Sequence, residues 1–102
     1  MIKINENQFE EEVLKNQGVV VVDFNADWCG PCKMLGPVLE QLSQENQATK
    51  FVSVNVDENG GLAQKYGVLS IPCVVFFKNG QEVKRNVGFA PKSVFENIIK
   101  GL

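Results

Sequence analysis

Polar and apolar positions change period several times along the chain, and each change marks an expected element. Phe9, Val13 and Leu14 fall on one helical face, which predicts a helix over residues 7–16. Asn7, followed three residues later by Glu10, has the form of a capping box, and Gly18 ends the helix. Residues 19–24 form a nearly unbroken β-branched and apolar run, the pattern of a strand covered on both faces. Asp23 is the one polar residue inside it. From Cys29 to about residue 46 the period is helical, with Leu35, Val38, Leu39 and Leu42 on one face. Pro31 suits the first helical turn, whereas Pro37 lies deeper and predicts a kink.

Residues 51–56 alternate, with Val52, Val54 and Val56 on one face, and predict a strand. Asn59-Gly60-Gly61 reads as a break before a short helix over residues 62–66, which Gly67 ends. Residues 73–77 predict another strand, Asn79-Gly80 a two-residue hairpin turn, and residues 82–87 its returning arm. Pro91 opens a last helix with Val94, Phe95, Ile98, Ile99 and Leu102 on one face. Residues 2–4 add a short first strand. Strands alternating with helices imply a parallel βαβ portion, and the hairpin adds antiparallel pairing. The expected class is α/β, with one mixed sheet and helices on both faces. Neither linker nor internal repeat interrupts the 102 residues, so residues 1–102 are read as a single domain.

Composition narrows the function. The chain is 44% hydrophobic and 22% charged, ordinary for a globular domain with its own core. Net charge is −2 and the Lys and Arg residues are scattered, so no nucleic-acid partner is expected. Without a basic amphipathic helix or a long apolar run, no membrane partner is expected either. The first residues lack the apolar core of a secretory signal, and a cytoplasmic location is the expectation.

Chemistry concentrates in Trp28-Cys29-Gly30-Pro31-Cys32-Lys33. Two cysteines three apart at a helix start can meet within the first turn at a separation that suits a disulfide. Cys29 lies at the end of the loop, facing the free N–H groups and positive pole of the helix, which favour its thiolate. Cys32 sits one turn in and is expected to be less exposed. Cys29 is therefore the candidate nucleophile and Cys32 the resolving thiol. Gly30 allows close approach of a substrate backbone, and Pro31 stiffens the turn. Zinc binding competes poorly: the chain has no His and one further Cys, so no metal site is expected. A purely structural disulfide over so short a loop would contribute little.

Val22-Asp23-Phe24, Trp28-Cys29-Gly30-Pro31-Cys32-Lys33, Ile71-Pro72, Lys78-Asn79-Gly80 and Val87-Gly88 occur in the order that resembles the thioredoxin family, across nearly the whole chain. The resemblance implies a thioredoxin fold, a central mixed sheet of about five strands with four helices. It implies a protein disulfide reductase and dithiol electron carrier, without a cofactor. The implied partners are a thioredoxin reductase and client proteins with disulfides, and the implied state is a monomer. Pro72 matches the family's cis-proline opposite the sulfurs. Asp23 matches its buried carboxylate, a general base for Cys32; the residues alone also allow a strand-end Asp bonded to nearby backbone. Trp28, Ile71, Pro72, Val87 and Gly88 match the substrate groove, although Trp28 could equally be a core residue and Lys33 a solvated charge. A disulfide oxidase or isomerase on the same fold and a non-catalytic binding subunit are the competing functions.

Three positions depart from the family. Cys73 follows the expected cis-proline where Thr is usual; it is either a modulator of the redox pair or a small packed hydrophobe. Asn25 replaces an aromatic residue, often Trp. Ser53 stands where a Lys often accompanies the buried Asp, and its absence is expected to leave the Asp23 pKa higher.

Overall fold

The computed structural model describes residues 1–102. Five strands, β1 (Ile2–Lys3), β2 (Val19–Asn25), β3 (Lys50–Asn55), β4 (Cys73–Lys78) and β5 (Gln81–Val87), form one sheet in the order β1-β3-β2-β4-β5. β1 and β2 run parallel to β3, whereas β4 is antiparallel to β2 and β5. Four helical segments complete the α/β fold: α1 (Glu10–Leu14), α2 (Gly30–Glu45), α3 (Gly60–Lys65) and α4 (Lys92–Lys100).

β2 organises the interior because it is central and both of its faces are covered. Its even-numbered side chains Val20, Val22 and Phe24 join Phe9, Val13, Leu62 and Phe77 in one core layer. Val21 points the other way, into a layer with Leu35, Leu39 and Leu42 of α2 and Phe95 of α4. The pleat then places Asp23 and Asn25 on that same second face, towards α2. This parity brings a carboxylate to the side of the sheet on which the cysteine-bearing helix packs.

Several expectations are corrected. The first helix is a single π-helical turn rather than ten residues, with Lys15 N–H bonded to Glu10 O at 2.8 Å. Its capping box is formed by Asn5 and Gln8, not Asn7 and Glu10. Asn5 Oδ1 accepts from the N–H groups of Asn7 (2.9 Å) and Gln8 (3.2 Å), and Gln8 Oε1 accepts from Asn5 N–H (3.0 Å). Gly60 and Gly61 belong to α3 rather than a break before it. Asn59 anchors that helix start: its Nδ2 donates to Asn55 O, and its Oδ1 accepts from Glu6 N–H. α2 remains one helix through Pro37.

The hairpin forms as expected, with Asn79 (φ 52°) and Gly80 (φ 83°) both left-handed. Gly80 also lies against the Leu14 carbonyl, so an added Cβ would collide with backbone. Gly80→Ala should therefore destabilise the fold by about 1–3 kcal/mol, from backbone strain alone before the collision is counted. Urea unfolding of the two proteins checks this; an unchanged midpoint would contradict it.

Candidate active site

β2 ends at Asn25, and a short loop carries the chain through Trp28 to Cys29, the N-cap of α2. Cys29 and Cys32 are disulfide-bonded with a Cα separation of 5.2 Å, so the helix start holds its oxidised state. Cys29 Sγ accepts from the Cys32 backbone N–H at 3.2 Å. An N–H left free by the helix geometry thus points at the first sulfur, which stabilises negative charge there after reduction. Pro31 stands in the first helical turn, as expected.

The expected difference in exposure between the cysteines is absent. Cys29 is 4% and Cys32 6% exposed, because both pack with Ala26, Val56 and Ile71. Gly30 and Pro31, in contrast, are exposed.

Of the residues expected to form a groove, Ile71 lies against the cysteines. Ile71–Pro72 is a cis peptide. Ile71 packs on the cysteine cluster, and Gly88 N–H donates to Pro72 O at 2.7 Å, joining the end of β5 to that loop. Val87 is exposed and Trp28 is 70% exposed, which removes the core alternative for Trp28. Its indole N–H donates to Asp57 Oδ2 at 2.8 Å, and Asp57 N–H is in turn held by Asn55 Oδ1. Neither Asp57 nor Asn55 was marked by sequence, because their contacts depend on a loop thirty residues from Trp28 by chain. Met34, Leu69 and Phe89 are further exposed apolar residues, each within two positions of an expected site residue.

Asp23 is 3% exposed, and burial raises its pKa from 3.8 to about 6. Asn25 Nδ2 donates to Asp23 Oδ2 (3.2 Å), which opposes that rise, while Asp23 Oδ1 has no hydrogen-bond partner. No cation contributes to the shift, in keeping with Ser at position 53. Asp23 and Cys32 both line a cavity of about 480 Å³ whose walls also include Asn25, Lys33 and Ser53. None of Trp28, Ile71, Pro72, Val87 or Gly88 lines it, so it is separate from the groove.

Cys73 is free and 1% exposed. It pairs with Phe24 across β2 and β4 and packs in the layer opposite the α2 face, outside the Cys29–Cys32 cluster. Burial raises the pKa of its thiol. In this packing Cys73 behaves as a small hydrophobe rather than a third member of the redox pair.

A profile of the family described as thioredoxin matches residues 1–101. The chain belongs to the thioredoxin family. It is 45% identical over 100 residues to a thioredoxin of Bacillus subtilis, covering 97% of this chain and 94% of that one. It is 42% identical over 97 residues to thioredoxin 1 of Synechococcus elongatus, covering 94% and 91% respectively. A thioredoxin of Mycoplasmoides gallisepticum is 40% identical over 90 residues, covering 88% and 90%. With the cysteine pair intact, family membership makes this chain a thioredoxin-type protein-disulfide oxidoreductase. Thioredoxins of this type work with a thioredoxin reductase and disulfide-containing targets. No helix is long and apolar enough to cross a membrane.

Asp23 sets a pH dependence of stability. Its folded pKa exceeds the unfolded value, so the folded chain holds more protons between the two. Stability therefore falls as pH rises from 3.8 to about 6, and Asp23 adds no further slope above that. The shift corresponds to about 3 kcal/mol at neutral pH. Asp23→Asn should stabilise the oxidised protein by up to about 3 kcal/mol near pH 7, with the gain shrinking as pH falls from about 6 towards 3.8 and absent below that. Urea unfolding of both proteins across that range checks this; a gain independent of pH would contradict it.

Proposed function

We propose that Cys29 attacks and Cys32 resolves in the reduction of client disulfides, with Asp23 as the proton acceptor for Cys32. The Cys29 thiolate attacks one sulfur of the client disulfide, and the other client sulfur leaves as a thiolate that takes a proton from solvent. Cys32 then loses its proton to Asp23, and its thiolate attacks Cys29 Sγ. The mixed disulfide breaks, the second client sulfur leaves as a thiolate that takes up the proton released from Cys32 through Asp23, and the Cys29–Cys32 disulfide remains. Two electrons have passed to the client, and a thioredoxin reductase returns them to the cysteine pair.

The observation that carries this assignment is the hydrogen bond from Cys32 N–H to Cys29 Sγ at the start of α2. It favours the thiolate at the first sulfur rather than the second. Asp23 supports the second step, because a carboxylate with a pKa of about 6 exchanges a proton near neutral pH and shares a cavity with Cys32. Gly30 lets a client backbone approach closely, and Pro31 stiffens the turn. Trp28, Ile71, Pro72, Val87 and Gly88 form the groove in which an extended client segment pairs with backbone. In this reading the chain acts as a cytoplasmic monomer, with residues 1–102 as one functional domain.

The test is dithiol-driven reduction of a model protein disulfide by single-cysteine variants. Cys29→Ser should abolish turnover. Cys32→Ser should accumulate the mixed disulfide with Cys29, visible by mass spectrometry. Cys73→Ala should change the rate by less than about threefold, since buried cysteines outside the pair act only through packing. Accumulation of the mixed disulfide on Cys32 in a Cys29→Ser variant would reverse the assignment.

A further inference from the structure

Two of the departures from the family pattern meet in space. The Asn25 amide nitrogen lies 2.8 Å from Ser53 Oγ and 3.2 Å from Asp23 Oδ2, and it also donates to the Asp23 backbone carbonyl at 3.0 Å. Strand pairing explains the convergence. Asp23 and Ser53 are register partners across β2 and β3, and Asn25 lies two positions on, on the same face as Asp23. A side chain short enough to fold back from position 25 therefore reaches both. Val74, the β4 partner of Asp23, carries no polar group.

The other carboxylate oxygen, Asp23 Oδ1, is buried and has no partner. With Oδ2 engaged by Asn25, Oδ1 is the oxygen left for proton transfer, and Asp23 shares its cavity with Cys32. We propose that Asn25, anchored on Ser53, is a positioning residue for the resolving half-reaction: it fixes the Asp23 carboxylate and leaves Oδ1 as the atom that takes the proton of Cys32. A neutral amide and hydroxyl thereby hold a carboxylate without a buried cation. The inference rests on the role of Asp23 proposed above.

The charged groups near Asp23 do not duplicate this role. Met1 lines the cavity, and its ammonium is bound to Glu40 at 2.6 Å. Asp27 and Lys33 line it as exposed residues of the β2–α2 loop and of α2. Cys32 is the reacting thiol, and on the far face Cys73 is held as a thiol by burial.

The test follows the rate of the resolving step against pH, using a preformed mixed disulfide on Cys29 and single-turnover release of the client thiol. It compares the parent, Asn25→Ala, Asp23→Asn and the double variant. Asn25 stabilises the charged form of Asp23, so its removal should move the parent midpoint upward by about one pH unit, a tenfold change in proton affinity. In the Asp23→Asn background, Asn25→Ala should leave the profile unchanged, which a general packing defect would not do. Ser53→Ala, which removes only the anchor, should give a smaller shift in the same direction and serves if Asn25→Ala does not fold. An unshifted midpoint in the folded variant, or an equal shift with and without the Asp23 carboxylate, would overturn the role of Asn25. If Asp23→Asn alone leaves the parent profile intact, the proposed role of Asp23 fails instead.

Discussion

A carboxylate held inside the central strand ties the sheet to the chemistry. Burying Asp23 opposes folding once the group ionises, yet the same burial brings its pKa to about 6, where a thiol proton can be exchanged. β2 can carry this group because both of its faces are covered and its apolar neighbours are numerous. The odd-numbered face of β2 meets α2, and α2 begins at the cysteine pair. The positions of the cysteine pair and of the buried carboxylate are thus consequences of one strand, its pleat and the helix that follows it.

The site divides into two sides. One is the proposed client groove, where Gly88 bonds to Pro72 of the cis-proline loop and Asp57 holds the exposed Trp28. The other is the cavity shared by Asp23, Asn25, Ser53 and Cys32. A client lying in the groove would cover Cys29 without lying in that cavity. In the proposed reaction, this division lets Cys32 lose its proton while Cys29 is still bonded to the client.

Much of this was legible in the sequence because its signals are local or periodic. The helical spacing of Leu35, Leu39 and Leu42, the Asn79-Gly80 turn and the C-x-x-C unit each determine their structure over a few residues. The family resemblance added the cis-proline, which no local pattern marks. Sequence and structure part where local signals are ambiguous or where tertiary contacts decide. Asn7 and Glu10 have the spacing of a capping box, but the geometry of the turn gives that role to Asn5 and Gln8. The glycines at 60 and 61 read as breakers, but Asn59 and the burial of Leu62 hold them in a helix. Asn25 and Ser53 looked like two separate losses because their hydrogen bond depends on the register between β2 and β3.

The central claim is that Asp23 remains a titrating group near neutral pH inside this sheet. The most direct measurement is the carboxyl carbon shift of Asp23 against pH in the folded, oxidised protein, assigned by comparison with Asp23→Asn. The account predicts a midpoint near the value of about 6 that burial imposes. A midpoint at the ordinary carboxylate value of 3.8 would contradict it.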